Sequence, residues 1–124
     1  MFSGIYWFGI FVADLPRHSL VLGGHSGPEP HSRTFPFGRY SEGRAAVTQR
    51  VIFMDHVPED ESKPGLHTPR FKLAVPVLIK GDFLGVLSAD SSAEDGFLEE
   101  DIFIIEDAGD IIADLLKQAA RSLH

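Results

Sequence analysis

Two long apolar runs dominate the chain. Ile5 to Ala13 is mostly aromatic and β-branched, with no charged position to mark a wet face. That pattern predicts a strand buried on both sides. Leu73 to Ser91, LAVPVLIKGDFLGVLSADS, predicts two strands joined by a tight turn at Lys80-Gly81-Asp82. The second of these strands carries Gly85 in its middle and runs out into Ser88-Ala89-Asp90-Ser91.

Shorter elements fill the interval. Asp14 to His18 reads as a turn, and Ser19 to Leu22 as the start of a partner strand. Gly23 to Arg33, rich in Gly, Pro, Ser and His, reads as an irregular loop. After Phe35-Pro36-Phe37-Gly38, Ser41 to Gln49 predicts a short helix. Ser41 is its candidate cap, with Arg44 where a capping box would need Glu. Val51 to Phe53 predicts a short strand. Asp55 to Arg70, with three prolines and four acids, predicts a long mobile loop.

Near the C-terminus, Ile102, Ile105, Ala108, Ile112, Leu115, Leu116 and Ala119 recur at spacings of three and four. They predict an amphipathic helix over roughly Leu98 to Ser122. Its early acids (Glu99, Glu100, Asp101) and late bases (Lys117, Arg121) suit the helix dipole. Together the elements predict one α+β domain over residues 1–124. Its expected core is an antiparallel sheet of five to six strands, the first five in spatial order 2-1-5-4-3.

Composition narrows the function. The formal charge of −7 disfavours nucleic acid and anionic membranes as partners. No apolar run approaches the ~20 residues that span a bilayer, and no secretory leader is visible, so a cytoplasmic location is expected. The chain has no cysteine, which removes disulfides, thiolate metal sites, thiol catalysis and thioether-linked chromophores. No cofactor is expected.

The hairpin followed by Phe97 and a long helix resembles the end of a GAF domain, a PAS-related fold that holds small ligands over one face of its sheet. Further fragments resemble the free methionine-(R)-sulfoxide reductase branch of that family. They are Tyr6-Trp7-Phe8-Gly9-Ile10-Phe11, Leu20-Val21-Leu22-Gly23, Phe35-Pro36-Phe37-Gly38-Arg39, Gly43-Arg44-Ala45-Ala46 and Thr48-Gln49, with Val75-Pro76, Lys80-Gly81, Gly85-Val86-Leu87 and Asp90-Ser91 in the hairpin. The resemblance covers nearly the whole chain. A GAF domain carries a further helix before its first strand, and this chain starts too late to contain one. Either the sequence is truncated or another subunit supplies the missing cover, and a homodimer is the expectation.

What the resemblance implies about chemistry fails at the reacting groups. The three family cysteines align with His31 or Ser32, with Glu42 and with Gly65. None of these residues can reduce a sulfoxide and then close a disulfide. The family binds the substrate's amino group with carboxylates. One of these aligns with Lys72 and another with Ser88, so only Asp90 remains. Lys72 would reverse the local field and favour an anionic ligand.

The candidate ligand-binding set is Trp7, Phe11, Phe37, Tyr40, Lys72, Ser88 and Asp90. Each has a plainer reading: core packing for Trp7, Phe11 and Phe37, a solvated edge position for Lys72, and a turn cap for Asp90. His25 with His31, and His56 with His67, lie on two loops that could meet over the cup near Asp55 and Asp60, but their spacing matches no metal motif and no metal site is expected. The cyclic-nucleotide pattern of some GAF domains is matched by Phe97 and Asp101 but not by Glu94, Asp95 and Ile102. Gly43-Arg44 is too short a signal for a phosphate loop. The expected function is non-catalytic binding or sensing of a small molecule. The alternatives are a diverged reductase-like enzyme and a structural dimerisation module whose pocket is filled by its own side chains.

Overall fold

The computed structural model describes residues 5–92. The expected helix at 98–122, with Phe97 and Asp101 at its start, lies outside the described residues. Seven elements organise the fold: β1 (Ile5–Asp14), β2 (Ser19–Ser26), β3 (Thr34–Pro36), α1 (Tyr40–Thr48), β4 (Ile52–Asp55), β5 (Phe71–Ile79) and β6 (Asp82–Ser91). Short 3-10 turns cover Leu15–Arg17 and Glu59–Glu61. The six strands form one antiparallel sheet in the order β3-β2-β1-β6-β5-β4. Without β3 this is the order expected from the sequence.

Turn chemistry fixes the central hairpin. Ile79 pairs with Asp82, leaving Lys80 and Gly81 as a two-residue loop. Their φ angles are 50° and 84°. Positive φ at both positions matches the right-handed twist of the strands, and glycine adopts it without strain. The hairpin places β6 between β5 and β1, at the middle of the sheet.

Three local expectations are corrected. β2 does not stop at Leu22 but continues to Ser26, because a register shift opposite Gly9 and Phe11 lets it follow β1 further. Thr34 to Pro36 forms an edge strand on β2 through Leu20↔Phe35, where proline is tolerated because the outer edge needs no donor. Helix α1 begins at Tyr40 with Arg39 as N-cap and no side-chain cap bond. Ser41 instead turns inward and donates to Met54 Sδ at 3.0 Å.

Alternation sorts the strands onto two faces. On one face Trp7, Phe11, Leu20, Leu22, Phe35, Ala74 and Val86 pack with Ala45 and Ala46 of α1. Each large ring withdrawn from water there contributes roughly 2–3 kcal/mol. On the other face Leu73, Val75, Val77, Leu87 and Ala89 form a second cluster with Phe8 and Ile10. No helix among the described residues is long and apolar enough to cross a membrane.

Candidate functional site

The site grows from one row across the three central strands. Trp7 pairs with Asp90, and Asp90 pairs with Lys72. Their side chains therefore stand side by side on the same face. The next row, two residues along, is Gly9, Ser88 and Ala74, all small. A Cβ at Gly9 would come within 2.6 Å of the Trp7 ring, so the small row makes the room into which the indole leans.

Helix α1 roofs this row. Glu42, Ala45 and Ala46 stand at i, i+3 and i+4 and are all buried. The two alanines let the helix approach the sheet, and Glu42 points its carboxylate into the row. The last component comes from the segment between β4 and β5, which sends Lys63 inward. Lys63, Lys72 and Glu42 are 1%, 0% and 0% exposed, and Asp90 is 1% exposed.

These groups close a bonded network. Lys63 Nζ donates to Ser88 Oγ at 3.0 Å and to Asp90 Oδ2 at 2.9 Å. Ser88 Oγ in turn donates to Glu42 Oε2 at 2.7 Å. The same Glu42 oxygen lies 3.4 Å from Lys63 Nζ and 3.2 Å from Lys72 Nζ. Lys72 Nζ also donates to the Glu61 carbonyl at 2.7 Å. Lys63 Nζ sits 4.1 Å from the centroid of the Trp7 ring, within cation–π range. The indole N–H donates to the Pro28 carbonyl at 2.9 Å, which fixes the ring.

Two acids and two bases balance. That is how four ionisable side chains tolerate burial, since an unpaired buried charge is costly. Burial works against ionisation of Glu42, but Lys63, Lys72 and the Ser88 hydroxyl outweigh it and hold its pKa at about 2. Burial also works against the Lys63 ammonium, yet Glu42 and Asp90 raise its pKa above the ordinary value. Lys63 therefore stays protonated at neutral pH and has no free lone pair for nucleophilic work. Nearby, burial and then the charge of Asp90 push the Tyr6 phenol upward. Glu42 Oε1 and Asp90 Oδ1 remain buried without a hydrogen-bond partner among the described residues.

Of the expected binding set, the structure brings Trp7, Lys72, Ser88 and Asp90 together. Phe11 packs at a tilt of 55° against Phe35 in the core, with 4.9 Å between ring centroids. Tyr40 packs on Phe35 at 5.3 Å, and Phe37 meets Phe83 edge-on at 6.0 Å. These three serve the aromatic core beside the charged row. Lys72 is no solvated edge lysine: it lies opposite Asp90 beneath α1. Nor does it reverse the field, because Glu42 lies against it. Sequence reasoning missed Glu42 as a charged member of the cup, although its spacing from Ala45 and Ala46 marks it as inward-facing. It missed Lys63 altogether. Nothing in a proline-rich polar loop signals that its one lysine folds inward, and Lys63 also shows that the loop is anchored to the sheet rather than loose.

The histidines go elsewhere. His25 Nε2 lies 2.7 Å from Glu29 Oε2, and His56 Nδ1 lies 2.8 Å from Asp55 Oδ1. His67 stacks on Tyr6 at 4.4 Å. No group of three or more metal-ligating side chains occurs among the described residues. Hydrogen bonds from Arg33 and then His25 draw the Glu29 pKa down. His31 packs on Gly65, where a Cβ would come within 2.3 Å of its ring. Two of the positions that align with family cysteines are therefore in contact, with His31 rather than Ser32 as the partner of Gly65.

The fold is a six-stranded antiparallel sheet with α1 packed over a buried charged row, and comparison with known proteins gives its family. The chain belongs to the GAF domain family, whose sequence model matches residues 5–116. Among solved structures it is similar to the free methionine-R-sulfoxide reductase from Neisseria meningitidis in complex with its substrate. Identity there is 27% over 98% of this chain and 72% of that one, with a TM-score of 0.79. It is similar in fold to a putative GAF sensor protein from Burkholderia vietnamiensis, with 23% identity, 96% and 75% coverage and a TM-score of 0.79. The GAF domain of a phosphoenolpyruvate-protein phosphotransferase from Coxiella burnetii also shares the fold, with 17% identity, 95% and 75% coverage and a TM-score of 0.83. No curated protein matches the chain significantly.

Proposed function

We propose that this chain is a non-catalytic GAF module that binds a small molecule in the cup between α1 and the central strands. The observation that carries this reading is the row Trp7, Asp90 and Lys72 with Ser88 beside it. Polar groups converge on an aromatic wall, on the face of the sheet beneath a loop, which is the usual form of a ligand site. The likeness to a reductase solved with its substrate supports a cup at this place. The chemistry is another matter, since a chain without cysteine has no thiolate to reduce a sulfoxide.

An anionic ligand, favoured when Lys72 is considered alone, loses its support once Glu42 is placed beside it. With two carboxylates in the cup, the protein atoms other than Lys63 sum to a net negative site. The structural module with a self-filled pocket stands as a second reading, and Lys63 itself favours it, because its side chain occupies the cup.

Native mass spectrometry tests the first reading. Freshly purified protein, and protein incubated with a set of small amines, amino acids and carboxylates, is expected to carry a 1:1 adduct that Asp90→Asn abolishes. No adduct across the set would leave the structural module in its place.

A further inference from the structure

The row across the sheet does not end at Lys72. Lys72 pairs with Met54 on the edge strand β4, so the outermost member of the row is a thioether. Met54 is half-buried, and its neighbours Phe53 and Asp55 are exposed. Two donors one helical turn apart on α1 hold its sulfur. Ser41 Oγ donates to Sδ at 3.0 Å, and Arg44 Nη2 donates at 3.7 Å. The other arm of Arg44, Nη1, donates to Glu61 Oε1 at 2.6 Å. The chain has two methionines, and Met54 is the one within the described residues.

A thioether is a poor acceptor. Ser41 is fully buried, and a buried hydroxyl normally takes an oxygen partner. Oxidation of a packed methionine usually loosens its surroundings, because it puts a polar oxygen among apolar groups. Around Met54 that oxygen would meet a hydroxyl and a guanidinium already aimed at the sulfur. A sulfoxide oxygen accepts far more strongly than a sulfide, so these surroundings suit the oxidised side chain better than the reduced one. The oxygen would also draw on Arg44, which Glu61 now shares. Glu61 in turn holds Lys72 through its carbonyl at 2.7 Å, so the sulfur stands one residue away from the buried charged network.

We propose that Met54 is an oxidant-responsive modification site, which a hydroperoxide converts to a sulfoxide whose oxygen is captured by Ser41 and Arg44. A sulfur lone pair attacks the terminal peroxide oxygen. The S–O bond forms as the O–O bond breaks, and the proton of the attacked oxygen passes to the departing one. Sulfur gives up two electrons, and the peroxide, reduced by two, leaves as water or an alcohol. Both donors come from α1, on one side of the sulfur. One of the two sulfoxide epimers is therefore favoured over the other. The group modified is the chain's own side chain, so this site stands apart from the reading of the cup as a ligand site.

The test treats the full chain with hydrogen peroxide. Peptide mass spectrometry of folded wild type is expected to place one oxygen atom on Met54, at a rate within about tenfold of N-acetylmethioninamide in the same tube. Oxidised wild type should keep its Tm within about 2 °C of the reduced protein, or exceed it. Oxidised Ser41→Ala should fall at least about 4 °C below its own reduced form. Comparing each protein with itself removes any effect of the substitution on folding. Adding Met54→Leu, which keeps the bulk without the sulfur, should abolish that fall. A second readout needs no variant. In the peptide that carries Met54, one of the two epimer-specific methionine sulfoxide reductases should restore most of the thioether and the other little. The inference is overturned if Met54 takes up oxygen only after urea unfolds the protein. It is overturned equally if wild type and Ser41→Ala lose the same Tm on oxidation, if the fall persists with Met54→Leu, or if the two epimers form in equal amounts.

Discussion

The Lys63 ammonium and the Asp90 carboxylate, separated by 27 positions in sequence, meet at 2.9 Å with almost no exposure to solvent. Removing one partner leaves the other charged and buried. Lys63→Met is expected to cost about 3–5 kcal/mol, and Asp90→Asn a similar amount. The double variant should cost clearly less than the sum, because each change removes the reason for the other's penalty. Urea denaturation of the four proteins measures this coupling. Additive losses would mean that the pair makes no net contribution.

Acid should weaken the fold through Glu42. Its pKa falls from an ordinary 4.5 to about 2 in the folded protein. The unfolded chain therefore takes up the proton first as pH drops. The stabilisation is complete above about pH 4.5 and disappears as pH falls through about 2, and it is on the order of 3 kcal/mol. Lys63, raised above its ordinary 10.5, keeps its contribution through the neutral range and loses it only in strong alkali. Unfolding free energies measured from pH 6 to 2 should fall along this course, and Glu42→Gln should flatten it.

Trp7 is the one tryptophan in the chain, so its fluorescence reports on the cup. The wild-type ring, fully buried beneath Lys63, should resist acrylamide. Lys63→Ala should raise its quenching constant about twofold or more. A constant unchanged in the folded variant would show that Lys63 does not shield the ring.

Gly65 sits at φ +84° with a would-be Cβ 2.3 Å from the His31 ring. Gly65→Ala should therefore cost about 1–3 kcal/mol, from backbone strain and from the clash. Adding His31→Ala should recover the steric share and leave the backbone share. Thermal unfolding of the single and double variants separates the two.

Most of the fold is legible because alternation and turn chemistry are local. Lys80-Gly81 declares the hairpin, and the unbroken run in β1 declares a central strand. The edge strand Thr34–Pro36 is invisible by that logic, since only Leu20↔Phe35 and its neighbours hold it. In the site, Ser88 and Asp90 are legible from their strand. Phe37 and Tyr40 are not separable from a cup wall by sequence, because aromatic character does not distinguish a ligand wall from a core. Lys63 was illegible for a deeper reason. Its burial is decided by acceptors 25 and 27 positions away, and no feature of its own segment encodes that encounter.

Strand β6 carries both halves of the molecule's identity on alternate residues. Val86, Ser88 and Asp90 face the cup, while Leu87 and Ala89 face the second apolar cluster. An insertion or deletion of a single residue within it would exchange the two sets. Recognition and stability are thus inherited as one unit. The cup face can therefore change only side chain by side chain, never by sliding the strand that builds it.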